Sequence, residues 1–130
     1  VDKQQQGHIF ISHSPQDSPE IQALIDGLER ANFQVWSEDS LRAGEDWSLA
    51  LHKAMNEAGK VVVAVTPHAK LSSWLEDEFN TATRLNKDII AVVMPTTTLD
   101  AVPSFLSDKP TVDLREQQPA WDNLFKLLSE

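Results

Sequence analysis

Residues 60–79 read KVVVAVTPHAKLSSWLEDEF. Val61, Val62, Val63, Ala64 and Val65 form an apolar run between Lys60 and Thr66-Pro67. A run this short and this rich in β-branched side chains predicts a central strand buried on both faces. A short loop follows, and Ser73 begins a helix. Ser73-x-x-Glu76 is a capping box, in which hydroxyl and carboxylate satisfy two orphan backbone N–H groups. The strand thus delivers the chain to a helix start at the carboxyl edge of a sheet, where open α/β folds place their sites.

That helix carries three carboxylates in a row, Glu76, Asp77 and Glu78. Helical spacing separates them. Stepping about 100° per residue from Leu75, the residues Trp74, Phe79, Ala82 and Leu85 fall in one arc, the buried stripe. Glu76 and Asp77 project outside it and read as a cap and a partner of the helix dipole. Glu78 projects into it, between the directions of Ala82 and Leu85. A carboxylate on the inward side is costly unless it is paired or borders a cleft. Helical geometry alone leaves two readings of Glu78 open. It is a stripe-edge residue reaching solvent or a salt bridge, or it is a cleft residue.

Working outward, residues 8–12 (HIFIS) predict a first strand and residues 14–19 a loop, with Ser18 as helix cap and Pro19 at the first helical position. Ile21, Leu24, Ile25 and Leu28 recur at helical spacing, and Asn32 ends that helix. Residues 33–37 (FQVWS) alternate as a second strand. Residues 38–46 (EDSLRAGED) are polar and contain Gly44, which predicts a mobile loop of unusual length. Trp47, Leu51, Ala54, Met55 and Ala58 make the next helical stripe, stopped by Gly59. After the opening strand and helix, Asp88 leads into a buried strand over residues 89–94. Residues 95–108 are irregular, with one helical turn near 99–106. Residues 111–114 are a short last strand, and Trp121, Leu124, Phe125 and Leu128 define a closing helix. Strand patterns alternate with helix patterns throughout. That alternation demands a parallel sheet with helices on both faces.

The 130 residues suffice for one domain with a real core. The chain begins at Val1 without a methionine and is expected to be a piece of a longer protein or a trimmed chain, with residues 1–7 a polar lead-in and 8–130 the domain. The net charge of −9, with no basic cluster to offset it, disfavours nucleic acid and anionic membranes as partners. No cysteine is present, so there is no disulfide framework, thiol nucleophile or thiolate metal site. No apolar run approaches membrane-spanning length and no signal peptide is visible, so a cytoplasmic location is expected. No pair of histidines with a carboxylate has metal-ligand spacing, and no Ser-His-Asp set is suggested.

Several families use a sheet of this size. A response-regulator receiver needs acidic residues after the first strand, an aspartate ending the third and a lysine ending the fifth. Here those places read Ser12-His13-Ser14, Thr66-Pro67 and Leu114-Arg115. A flavodoxin needs a phosphate loop after the first strand, and residues 12–17 hold no glycine. Neither G-x-G-x-x-G nor a Walker A sequence occurs.

Four places at family spacing remain. Phe10-Ile11-Ser12-His13-Ser14 followed by Asp17 is similar to the motif F-I-S-Y/H-S-x-x-D. Phe33-Gln34-Val35-Trp36, then Asp39 and Leu41-x-x-Gly44-x-x-Trp47, is similar to a second strand and its BB loop. Val65-Thr66-Pro67 is similar to a V-L-S-P strand end. Ser73-Trp74-x-x-x-Glu78 is similar to S-x-W-C-x-x-E, with Leu75 where the family has cysteine. Through these motifs nearly the whole chain resembles the TIR (Toll/interleukin-1 receptor) domain family. The resemblance implies a flavodoxin-like, five-stranded parallel sheet in the order 2-1-3-4-5.

The family includes scaffolds that signal by assembling and enzymes that cleave NAD⁺ at the nicotinamide–ribose bond. In the enzymes the glutamate of the S-x-W signature is catalytic, which carries that role onto Glu78. The resemblance implies substrate contacts from Ser12, His13, Ser14, Asp39, Leu41, Gly44, Trp47 and Trp74. It implies NAD⁺ as substrate with no resident cofactor or metal, a homo-oligomer through TIR–TIR contacts, and the bacterial-type NAD⁺-cleaving branch. Each contact residue keeps an alternative. Trp47 shares a core stripe and Trp74 reads as a packing anchor. His13 and Ser14 fit a plain polar turn, His68 a plain loop, and His8 and His52 exposed positions.

Overall fold

The protein is described by a computed structural model covering residues 8–13, 18–37, 47–67, 73–97, 100 and 102–129. Five strands form one parallel sheet: β1 (Ile9–Ser12), β2 (Val35–Trp36), β3 (Lys60–Val65), β4 (Asp88–Val93) and β5 (Thr111–Asp113). Their order is β2-β1-β3-β4-β5, as the alternation and the resemblance imply. The helices among the described residues are α1 (Ser18–Arg30), α2 (Trp47–Glu57), α3 (Ser73–Arg84) and α4 (Gln118–Ser129). Among the described residues the β4-to-β5 connection carries a 3₁₀ turn, Ser104–Leu106, inside the stretch expected to hold a helical turn.

Period-2 alternation sorts the strand side chains between two cores. Ile9, Ile11, Val62, Ala64, Ile90, Val92 and Val112 pack with Ile21, Leu24 and Leu28 of α1 and Leu124 and Leu128 of α4. Phe10, Val61, Val63, Val65, Ile89, Ala91 and Val93 pack with Ala54 and Met55 of α2 and Leu75 and Ala82 of α3. Both faces of β3 are therefore covered, and each fully buried valine contributes about 1.5–3 kcal/mol. The two helices of the first face approach closely, since a Cβ on Gly27 of α1 would run into the Trp121 ring of α4.

Three expectations need correction. Residues 33–37 do not pair as a strand throughout: only Val35 and Trp36 do, against Ile9 and Phe10. The reason lies in the end of α1. Asn32 adopts a left-handed φ of 72°. The Phe33 N–H then donates to the Leu28 carbonyl at 3.1 Å and the Asn32 N–H to Glu29 at 3.0 Å. This Schellman closure uses Phe33 as its last residue, and the ring stacks on Phe125 at 6.0 Å. His8 is half-buried rather than exposed, with Nε2 2.7 Å from the Ala54 carbonyl oxygen. His52 is exposed. The last strand also ends one residue early, because Leu114 opens a 3₁₀ turn, Leu114–Glu116.

Helix α3 ends as α1 does. Asn86 has a φ of 59°. The Lys87 N–H donates to Ala82 at 3.0 Å and the Asn86 N–H to Thr83 at 3.1 Å. Lys87 Nζ then donates to the carbonyls of Asn56 at 2.8 Å and Ala58 at 2.9 Å, tying the end of α2 to the end of α3. At the amino edge Lys60 and Asp88, partners in register, form an ion pair at 3.1 Å.

Candidate active site

Among the described residues, the buried polar side chains are Ser12, His13, Ser37, Thr66, Glu78 and Thr97. Their distribution is one-sided. Ser12 closes β1 and His13 follows it; Ser37 follows β2, Thr66 follows β3, and Thr97 lies beyond the end of β4. All of these are at the carboxyl edge of the sheet. Burial of polar groups is costly and is retained where it serves a site, and this edge is where open α/β sheets bind ligands.

Glu78 is the buried polar residue that comes from a helix. It lies three residues after Leu75 and four before Ala82, both fully buried, and is itself 5% exposed. Glu76 and Asp77 are exposed. The register of β1 explains what Glu78 meets. Ser12 is two residues after Phe10, so its side chain leaves the sheet on the Phe10 face, which α3 covers. Ser12 Oγ donates a hydrogen bond to Glu78 Oε1. Ser12 is 1% exposed and pairs in register with Val63 of β3. The carboxylate of α3 is thus held at the seam between β1 and β3, the two central strands whose connections leave in different directions.

His13, the next residue, is 1% exposed. The resemblance implies a substrate contact for Ser12; in the structure its hydroxyl donates to Glu78. Ser14, Asp39, Leu41, Gly44 and His68 lie outside the described residues, as do the side chains of Trp47 and Trp74. The backbone of Trp47 begins α2, and Trp74 is the second residue of α3. Ser37 and Thr66 were not read as site residues. Their signal was legible: the first three apolar strand patterns each end on a hydroxyl, Ser12, Ser37 and Thr66.

An ionised carboxylate is an acceptor only. At this edge it can receive hydroxyl hydrogens and lower the energy of positive charge developing nearby. Glu76 and Asp77 face away, so α3 does not supply the two facing carboxylates of a glycoside hydrolase. Among the described residues no group of three or more His, Cys, Asp or Glu side chains is placed to hold a metal ion. No helix among them is long and apolar enough to cross a membrane.

The family model described as TIR domain matches residues 9–128. The chain belongs to the TIR domain family. Solved structures share its fold at low identity. The TIR domain of the Toll-related receptor TRR-2 from Hydra magnipapillata superposes with a TM-score of 0.78 at 20% identity, covering 94% of this chain and 98% of that one. A metazoan TIR-STING receptor from C. gigas gives 0.77 at 19% identity; all of this chain is covered, and it spans 41% of the receptor chain. The CMP N-glycosidase BcmB of Clostridium botulinum gives 0.59 at 17% identity, over 92% of this chain and 98% of that one. No curated protein sequence matches significantly.

Proposed function

We propose that this TIR domain is an NAD⁺ glycohydrolase or cyclase, a hydrolase acting on the N-glycosyl bond between nicotinamide and ribose. The observation that carries the reading is the buried Glu78 carboxylate, hydrogen-bonded by Ser12 at the carboxyl edge of the sheet. Nicotinamide is a cation in NAD⁺. When the C–N bond breaks, its electron pair returns to the ring, and nicotinamide leaves neutral without a general acid. The ribose becomes oxocarbenium-like. Glu78 stabilises that charge and accepts hydrogen bonds from the ribose hydroxyls. Water then adds to give ADP-ribose and a proton, or an adenine nitrogen closes a cyclic isomer.

The remaining contacts to NAD⁺ are assigned to His13, Ser14, Asp39, Leu41, Gly44, Trp47 and Trp74, and no resident metal or cofactor takes part. Self-association through TIR–TIR contacts completes the cleft, and the domain acts in the cytoplasm as the effector part of a larger defence or virulence protein. The C. botulinum relative supports the bond type, since by its name it breaks an N-glycosidic bond in a nucleotide. A second reading is a scaffold that binds other TIR domains without turnover. Its support is that the Hydra and C. gigas relatives are parts of receptors.

The test is nicotinamide release from NAD⁺ by the concentrated domain and by Glu78→Gln. The amide is nearly isosteric but uncharged. Release should fall on the order of a hundredfold, about 2.7 kcal/mol of transition-state stabilisation, while NAD⁺ binding falls far less. Near-native release by Glu78→Gln refutes the assignment of Glu78. No release by the unaltered domain, even when concentrated or clustered, favours the scaffold.

A further inference from the structure

Ser12 stands in the opening motif where contact with the substrate was expected, yet its hydroxyl is used inside the protein. We infer that Ser12 is a positioning residue, which holds the Glu78 carboxylate in one orientation at the seam between β1 and β3. The inference rests on the NAD⁺-cleavage reading for its catalytic consequence, though not for its geometry.

The geometry has three parts. Ser12 ends β1 and is locked in register against Val63 of β3, so its backbone belongs to the rigid centre of the sheet. Its side chain is 1% exposed and points to the face that α3 covers. Its Oγ donates to Glu78 Oε1. A glutamate has three side-chain torsions, and its last one is broad. Packing of Leu75 and Ala82 fixes where α3 sits, but it does not fix the carboxylate plane. A donor mounted on a paired strand does. Catalytic groups must be held within about half an ångström and 10–20° of the productive geometry, which requires a supporting hydrogen bond of this kind. Serine suits the place because its single hydroxyl rotates freely to meet the carboxylate, and once it has donated the carboxylate stays an acceptor.

A substrate contact and a positioning contact differ in what their loss does. Losing a contact made equally in ground and transition states raises KM and spares kcat. Losing orientation of the charge-stabilising group lowers kcat and leaves KM nearly unchanged. Three proteins decide it: the unaltered domain, Ser12→Ala and Ser12→Thr, each with carbon-13-labelled glutamate. The Glu78 carboxyl resonance is assigned by its loss in Glu78→Gln. The unaltered domain should show one narrow Glu78 resonance. Ser12→Ala should broaden or split it, lower kcat for nicotinamide release about tenfold or more, and move KM less than about twofold. Ser12→Thr, which keeps the hydroxyl, should restore both the narrow resonance and most of kcat.

A raised KM with unchanged kcat in Ser12→Ala would make Ser12 a substrate contact and overturn the inference. So would an unchanged Glu78 resonance, or a Ser12→Thr variant that behaves like Ser12→Ala while folded by circular dichroism. An unaltered domain that releases no nicotinamide defeats the NAD⁺ reading instead. In that case the carboxyl resonance still decides whether Ser12 holds Glu78.

Discussion

Glu78 occupies a stripe position where an apolar side chain would contribute about 1.5–3 kcal/mol, between Leu75 and Ala82. A carboxylate there must be compensated. Removing it together with its donor should therefore not harm the fold. The double variant Glu78→Met with Ser12→Ala is expected to unfold at the same or a higher temperature than the unaltered domain while losing nicotinamide release. A midpoint lower by many degrees would make Glu78 a structural residue. Its neighbours serve as controls. Glu76→Gln and Asp77→Asn, both on the exposed side, should stay within about 0.5 kcal/mol in stability and keep release near native. Loss of release in Glu76→Gln would move the candidate site away from the inward arc. At this scale the sequence was informative because helical phase is local: three consecutive acids must point in three directions. What Glu78 touches was not legible. Its partner Ser12 lies 66 residues earlier in the chain, on another element.

The elements depend on how they end. Asn86 holds the left-handed conformation that closes α3, and Lys87 beside it reaches the last carbonyls of α2. Asn86→Ala should cost about 1–2 kcal/mol, the penalty for a Cβ in that conformation. Asn86→Gly should cost nothing or stabilise slightly. Chemical denaturation of the two variants checks this, and equal losses in both would point to the side chain rather than to φ. The helix end at Asn32 was legible from residue type; that Phe33 would be used up in the same closure, shortening β2, was not. The 3₁₀ turn after β5 carries a pH-sensitive contact. Arg115 pairs with Asp113 at 2.6 Å, and that hydrogen bond holds the Asp113 carboxyl below the ordinary aspartate range. A lowered folded value means stabilisation that is present above the ordinary aspartate range and lost as pH falls through the lowered value. Asp113→Asn should therefore lose less stability than the unaltered domain on acidification from neutral pH, and should be the less stable of the two at pH 7. An unchanged slope on the acid side would show that the pair contributes nothing, as many surface pairs do.

For the whole molecule the charge of −9 sets the terms of assembly. Copies of this domain repel one another, and salt screens that repulsion within about 10 Å at 0.1 M. If cleavage requires self-association, specific activity should rise with protein concentration from nanomolar to high micromolar, and should rise with salt at a fixed sub-saturating concentration. Flat activity across that range, with a monomer throughout by light scattering, would exclude a shared cleft. The fold itself is legible in the sequence. The central strands β3 and β4 are short apolar runs rich in β-branched residues, each helix is a stripe of period 3.6, and the alternation of strand and helix patterns admits few topologies. These signals are local or nearly so, and they determined the strand order once the family motifs were recognised. The site was legible in part, as Glu78 and as hydroxyls at strand ends. Only the tertiary structure decided that Ser12 serves Glu78, that the buried polar side chains gather on one edge, and that His8 is used by α2. Each of these joins residues far apart in sequence, and their meeting depends on sheet register and helix packing, which no local pattern specifies.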